Sequence, residues 1–389
     1  MPRPLDLVRR RNLSLILGRV HTVGAVSRAQ LTKETGLNRS TIAALVAELV
    51  QLGLVLETDP NQTNQVGRPS PVIVPSDHTV AITVHPELDA VVVGLVHLGG
   101  RVIREVRHDT ERVPSPREAV AIAAAVIERM LAELGPGYRI AGIGLAVPGL
   151  VRADNGLVSL APHLEWHDVA VSEMLREATG FAVAAGNDAS LGAIAESVRG
   201  AGQGVADLVY LNGGASGIGG GIIAGGILLR GASGYAGEIG HTLVNSDGLP
   251  CHCGSTGCLE TEVNRAPLLD AMGLSPADAD RLEQALVAAL VEPGHPVAAI
   301  VDRQIGYLAR ALANVVNIFN PSLIVLGGFL GSLHAVAGEQ LAARTRKLAM
   351  IGPRDEVEFT RAVLGSHILT IGAAEIAFAA LISDPAADL

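Results

Sequence analysis

Three cysteines are all that this 389-residue chain contains, and they fall within the eight positions Cys251-His252-Cys253-Gly254-Ser255-Thr256-Gly257-Cys258, ten residues after His241. Three thiolates and one imidazole complete the tetrahedral shell of a structural zinc. The spacing therefore predicts a Zn2+-stapled loop with His241, Cys251, Cys253 and Cys258 as ligands. Two other readings stand beside it: the cysteines as small buried hydrophobes, or two of them as a disulfide. One residue between Cys251 and Cys253 seldom gives disulfide geometry, and any pairing leaves a thiol over. His252 reads as a bystander rather than a ligand. Glu238 and Glu260 flank this loop and become candidates for whatever chemistry it supports.

The length predicts two or three domains. Hydrophobic residues at 49% against 17% charged describe a well-buried globular chain without the roughly 18 consecutive apolar residues of a membrane span. Arg3, Arg9, Arg10 and Arg11 near the start are not followed by the apolar stretch and cleavage site of a secretory signal. The expected location is cytoplasmic, where thiols stay reduced for metal. The net charge of −10 excludes a chain that coats nucleic acid over its whole surface. Residues 1–80 nevertheless hold nine Lys/Arg against six Asp/Glu, or +3, which leaves −13 for the rest. A mildly basic head on an acidic body suits a small DNA reader attached to a larger domain with another task.

Helical periodicity and turn signals divide that head, taken as residues 1–78. Leu13, Ile16, Leu17 and Val20 line a first helix that Gly24 ends. Ser27 with Gln30 caps a second helix, which stops at Gly36. Asn38 caps a third, where Ile42, Leu45, Val46, Leu49 and Leu52 share a face. This is a helix-turn-helix, with residues 55–57 and 72–74 as strands of a wing whose polar tip carries Arg68. The start of a recognition helix faces the major groove, so Arg39, Ser40 and Thr41 are candidate DNA contacts, joined by Arg28 and Arg68. The alternative is a three-helix protein-interaction module with solvated arginines.

From residue 79 to 389 the pattern becomes α/β, twice over. Residues 80–84, 90–97, 102–107 and 140–146 read as strands around a helix at 115–134. A second set follows at 208–212, 219–224 and 323–326, with a helix at 298–319. Two such halves imply a ligand cleft. Asn187, Asp188, Glu238, His241 and Glu260 are its candidate polar residues, since carboxylates and an amide suit a polyhydroxy ligand. Singly, Asp188 could be a helix N-cap and Glu238 a surface acid.

Glu238-x-Gly240-His241, the run Cys251-x-Cys253-Gly254-x-x-Gly257-Cys258-x-Glu260, Gly67-Arg68-Pro69 and the stretch 323–328 together resemble the ROK family of bacterial sugar kinases and sugar-responsive repressors of the xylose and N-acetylglucosamine type. The resemblance covers nearly the whole chain. It implies a winged helix-turn-helix followed by a two-lobed actin-like sugar-kinase fold with a structural zinc loop at 241–260. It also implies sugar contacts by Asn187, Asp188, Glu238, His241 and Glu260, with Asp188 matching the kinases' general base and His241 serving both metal and sugar.

The family kinases carry Asp-x-Gly-x-Thr in their first hairpin, where this chain has Val84-His85-Pro86-Glu87-Leu88-Asp89. Proline removes an N–H, and no glycine lets a phosphate approach the backbone. Their second phosphate loop, Gly-Thr-Gly, is matched only by Ala215-Ser216-Gly217, and His163 stands where they usually carry Asn. Gly219, Gly220 and Gly221 read as close packing rather than nucleotide contact. The expectation is a regulator, most simply a repressor, whose partners are operator DNA and a sugar effector, acting without phosphorylation as a homodimer or homotetramer. The alternative is a sugar kinase bearing a DNA head.

Overall fold

The computed structural model describes residues 4–58 and 70–387. They cluster into two compact units. One comprises Met1–Val147, Asn155–Gly186 and Thr370–Leu389; the other comprises Pro148–Asp154 and Asn187–Leu369.

The first unit opens with α1 (Pro4–Val23), β1 (Val26–Ser27), α2 (Arg28–Thr35) and α3 (Arg39–Gln51). Ser27 accepts the N–H of Gln30 to start α2, and Gly36, at φ +71°, ends it. Asn38 accepts the N–H of Thr41 to start α3, so only a short turn separates the two helices. Strands β2 (Val55–Thr58) and β3 (Val72–Pro75) pair antiparallel in the register Leu56 to Val74 and Glu57 to Ile73. β1, which the periodicity does not announce, joins β3 on its other side. The expected tip with Gly67, Arg68 and Pro69 lies outside the described residues.

Next come β4 (Thr79–Pro86), β5 (Ala90–His97), β6 (Val102–Asp109), α4 (Pro116–Leu134) and β7 (Arg139–Val147). Ser115 and Glu118 form a reciprocal capping box at the start of α4. β8 (Leu150–Val151) belongs to the second unit; β9 (Val158–Ala161), β10 (Trp166–Val169) and α5 (Val171–Thr179) return to the first, as does most of β11 (Val183–Asn187). The sheet order is β11-β7-β4-β5-β6, with β4 antiparallel to β5 and parallel to β7.

The second unit repeats that plan. It contains α6 (Asp188–Arg199), β12 (Leu208–Gly213), β13 (Ile218–Ala224), β14 (Ile227–Leu228), α7 (Leu259–Glu262), α8 (Ala266–Ala271), α9 (Leu282–Leu290), α10 (Val297–Phe319), β15 (Leu323–Gly327), α11 (Gly328–Leu348), α12 (Pro353–Glu356) and β16 (Glu358–Arg361). Its order β14-β13-β12-β15-β16 mirrors the first sheet: three antiparallel strands, then two parallel additions. The chain enters the first unit again along α13 (Ile368–Ser383).

The helical stretch Gly365–Ser383, α13 with the turn before it, is long and apolar enough, by length and composition, to cross a membrane. Its position accounts for that composition. Ala374, Ala377, Phe378 and Leu381 are buried in one continuous core with Leu13, Ile16, Leu17 and Val20 of α1, Ile42 and Leu49 of α3, and Ala81 and Val96 of the sheet. A division at residue 78 therefore cuts through a shared core, in which each fully buried large aliphatic side chain contributes about 1.5–3 kcal/mol. Sequence periodicity identifies the buried face of α1 but not its second neighbour, more than 350 residues away in the chain.

Candidate functional site

The loop after His241 folds back on itself through two bridges, Leu243 with Cys258 and Pro250 with Thr256. Gly257, at φ +71°, is required there, because a Cβ would stand 1.6 Å from the Asn245 carbonyl oxygen. This closure brings a ring nitrogen of His241 and the sulfurs of Cys251, Cys253 and Cys258 within 4.8 Å of one another, a group able to hold a metal ion. Tetrahedral bonds of about 2.3 Å to sulfur and 2.05 Å to nitrogen give S–S edges near 3.8 Å and S–N edges near 3.6 Å. The Cys253–Cys258 separation is 3.7 Å and the Cys251–His241 Nδ1 separation is 3.6 Å. Burial raises the Cys251 thiol to about 12, so metal binding there is coupled to proton release.

Glu262, buried at the end of α7, anchors the loop by accepting from the Leu249 N–H at 3.0 Å and from Arg303 of α10 at 2.5 Å.

Beside these four groups lie the other candidates of the second unit. Glu260 approaches His241 Nδ1 at 3.5 Å, while His241 Nε2 faces Glu238 at 3.9 Å. Burial, reinforced by the charges of Asp188 and Glu260, raises the Glu238 carboxyl above its ordinary range, with His241 opposing. Asp188, Glu238, His241 and Glu260 thus form one electrostatic neighbourhood.

Asn187 has a different station. It is the N-cap of α6: its Oδ1 accepts the Ser190 N–H and its Nδ2 donates to Gly149 O, both at 3.0 Å. The cap falls on Asn187 rather than on Asp188, which begins the helix and accepts the Ala189 N–H at 2.8 Å. α6 lies close on β13 because Gly219 and Gly221 leave room: a Cβ at either would meet Ala189 or Ala193 at 2.6 and 2.5 Å. Those glycines are occupied in packing.

His252 is the residue that sequence reasoning undervalued. Its Nδ1 is 3.2 Å from Glu260, and its ring meets His241 edge-on at 5.2 Å. A histidine directly between two predicted ligands, Cys251 and Cys253, was the available signal.

In the first unit the turn between β4 and β5 is closed by a backbone bond and flanked by ion pairs to β6. The Glu87 N–H donates to Ala90 O, His85 Nδ1 meets Ala146 O at 3.2 Å, and Arg107 gathers Glu87, Asp89 and Asp109. In the second unit, the turn Gly214–Gly217 is closed by a backbone bond of 2.9 Å. A Cβ at Gly217 would lie 2.3 Å from Glu260.

On the head, Arg39 and Ser40 are exposed and Thr41 half-buried in the first turn of α3, with Ser40 donating to Asn38. Arg28 is bound to Glu57 of β2 at 2.6 Å, which ties α2 to the hairpin.

Two copies of one mixed α/β plan, with a metal-competent loop and a cluster of carboxylates at the start of a helix, define a protein of sugar-kinase-like architecture. The chain belongs to the ROK family, whose model matches residues 91–380. It is 29% identical to a putative xylose repressor of Caldicellulosiruptor sp. over 97% of this chain and 98% of that one. It is 34% identical to a glucokinase of Thermotoga maritima over 61% of this chain and 77% of the enzyme. A solved ROK family transcriptional regulator, described as a homologue of the Escherichia coli MLC protein, superposes with a TM-score of 0.79 at 25% identity, covering 97% of both chains.

Proposed function

We propose that this chain is a zinc-containing, sugar-responsive transcriptional repressor of carbohydrate uptake or catabolism genes, acting in the cytoplasm. The observation that carries the reading is a contrast. The cluster Asp188, Glu238, His241 and Glu260 is intact, whereas the hairpin that would receive a nucleotide phosphate contains Pro86 and carries the carboxylates Glu87 and Asp89, paired with Arg107 at its surface. Phosphoryl transfer depends on positioning and on charge neutralisation of the transferred group. Carboxylates and a missing N–H supply neither. Likeness to a named repressor over nearly the full length, head included, points the same way.

In this reading Asp188, Glu238 and Glu260 accept hydrogen bonds from sugar hydroxyls, and Asn187 contributes by fixing the start of α6. His241 ligates zinc through Nδ1 and presents Nε2 to the sugar. Zinc, when bound, supplies a fixed cross-link that holds Glu260 in place. Helices α2 and α3 act as a helix-turn-helix with β2 and β3 as its wing. Arg39, Ser40 and Thr41 meet the major groove, with Arg68 of the wing as a further contact. Arg28, held by Glu57, braces the head.

Paired half-sites call for a symmetric homodimer or homotetramer. Sugar releases the operator only if it binds the DNA-free state more tightly, because a ligand with equal affinity for both states shifts nothing.

The test is one titration series on purified protein with xylose, glucose and N-acetylglucosamine, first with ATP and Mg2+, then with operator DNA selected from a random duplex library. The expected result is sugar binding without ATP turnover, and weaker DNA binding when the effective sugar is present. Sugar-dependent ATP turnover at ordinary kinase rates, abolished by Asp188→Asn, would overturn it in favour of the kinase.

A further inference from the structure

His21, at the last turn of α1, is 2% exposed. Its Nδ1 accepts the backbone N–H of Gly99 at 3.0 Å, so the ring carries its proton on Nε2 and donates it to Glu375 of α13 at 2.8 Å. The Glu375 side chain is 8% exposed, and the His21 ring leans on Phe378 at 5.3 Å. Gly99 in turn, at φ +101°, sits so close to Pro75 of the wing strand β3 that a Cβ would stand 2.9 Å from the proline ring. One buried imidazole therefore joins α1, the turn between β5 and β6, and α13 directly, and reaches β3 through Gly99.

A buried polar pair is an expensive occupant for a hydrophobic core. Apolar residues of similar volume are commonly as stable or more so, and the best-attested use of such a pair is to set register or to act in a switch. Ordinary packing by Leu17, Val20, Phe378 and Leu381 already joins α1 to α13 here. The pair adds direction, since its hydrogen bonds form at only one rotational and axial setting of α13 against α1.

A second buried carboxylate stands at the other end of the same connection. Glu196 of α6 is fully buried and accepts three backbone N–H groups, those of Ala201 at 2.7 Å, Val363 at 2.9 Å and Leu364 at 3.1 Å. Val363 and Leu364 lie just before α13, and α6 is the helix that begins with Asp188. We infer that His21 and Glu375 are positioning residues through which α13 sets the DNA-binding head, and that Glu196 ties the start of α13 to the helix of the sugar cluster. Effector state reaches the head along α13 rather than through a loose linker. The inference rests on the sugar-responsive reading and adds its route.

The experiment compares operator affinity with and without sugar, by fluorescence anisotropy on the selected duplex. The variants are His21→Leu with Glu375→Leu, Glu375→Gln, and Glu196→Gln. For the wild type, the ratio of the two operator affinities should fall in the usual range of about 5- to 150-fold.

The double leucine variant should retain sugar affinity and sugar-free operator affinity within about threefold, while its ratio collapses towards one. Glu375→Gln, which still accepts from His21, should keep the ratio within about twofold. Glu196→Gln should lower it from the other end. A wild-type ratio in the double variant overturns the inference. If that variant fails to fold, Glu375→Asp, which withdraws the carboxylate by one methylene, takes its place with the same two outcomes. A wild type that shows no sugar effect on DNA binding refutes the repressor reading itself, before any variant is considered.

Discussion

Replacing Asn187 separates a structural role from a binding role at the centre of the candidate site. The side chain makes two hydrogen bonds of 3.0 Å, one capping α6 and one to the Gly149 carbonyl. Loss of an N-cap costs about 1 kcal/mol, within a range of 0.5–2. Loss of a second, partly buried hydrogen bond adds about 1 kcal/mol. Asn187→Ala should therefore destabilise the second unit by about 2 kcal/mol, a fall of roughly 4–8 °C in Tm for a unit of this size.

Asn187→Ser restores the capping oxygen but cannot donate to Gly149, so it should recover about half of that loss. Scanning calorimetry reads the stability, and sugar titration reads the site. Because α6 carries Asp188, sugar affinity should fall in step with stability across Asn187, Ser and Ala. An alanine variant with unchanged Tm that no longer binds sugar would refute this reasoning, and would place Asn187 directly on the ligand.

Cys253→Ser should reduce zinc from about one ion per chain to well below that, as measured by metal analysis, and sugar affinity should fail before operator affinity, because Glu260 lies beside Cys251 of the loop. Arg39→Ala should weaken operator binding and lower the slope of log affinity against log salt by about one, whereas Arg28→Ala, whose guanidinium is held by Glu57, should leave that slope unchanged; both are read by titration at several salt concentrations. The Glu118 carboxyl is held at about 2, below its ordinary 4.5, by the Ser115 hydroxyl first, then the Ser115 N–H and Arg112. A carboxyl lowered in the folded state stabilises above its unfolded value, and that contribution is lost as pH falls towards 2. Glu118→Gln should accordingly lower Tm at pH 7 and leave it unchanged near pH 2.

What the sequence discloses best is local chemistry. Ser27, Gly36 and Asn38 announce the ends of α2 and α3, since a cap is a bond between residues two to four apart. The cysteine spacing is equally short-ranged, and the interatomic distances fit the tetrahedron it suggests. The glycine run at 219–221 reads correctly as close packing because only glycine permits helix-to-sheet approaches of 2.5–2.6 Å to a would-be Cβ. Other features depend on long-range partners that no periodicity specifies. The bond from the Asn187 amide to the Gly149 carbonyl is one. The Arg28–Glu57 pair, which joins α2 to β2, is another.

The least legible feature is also the one that changes how the protein is understood as a machine. A charged head on an acidic body suggests two independent domains joined by a linker, so sugar would act on DNA binding only by moving the body. The shared core removes the linker from that picture, because Leu13, Ile16 and Leu17 have no separate interior to retreat into. Detaching the head would expose Phe378 and Leu381, which are at most 1% exposed. At about 1.5–3 kcal/mol per large apolar side chain, exposure of those two alone would consume a large part of the 5–15 kcal/mol that stabilises a domain. On the inferred route the head adjusts by small shifts of α13 against α1 within a packed interface. In such an interface packing tolerates several settings, and a directional buried pair such as His21–Glu375 selects one.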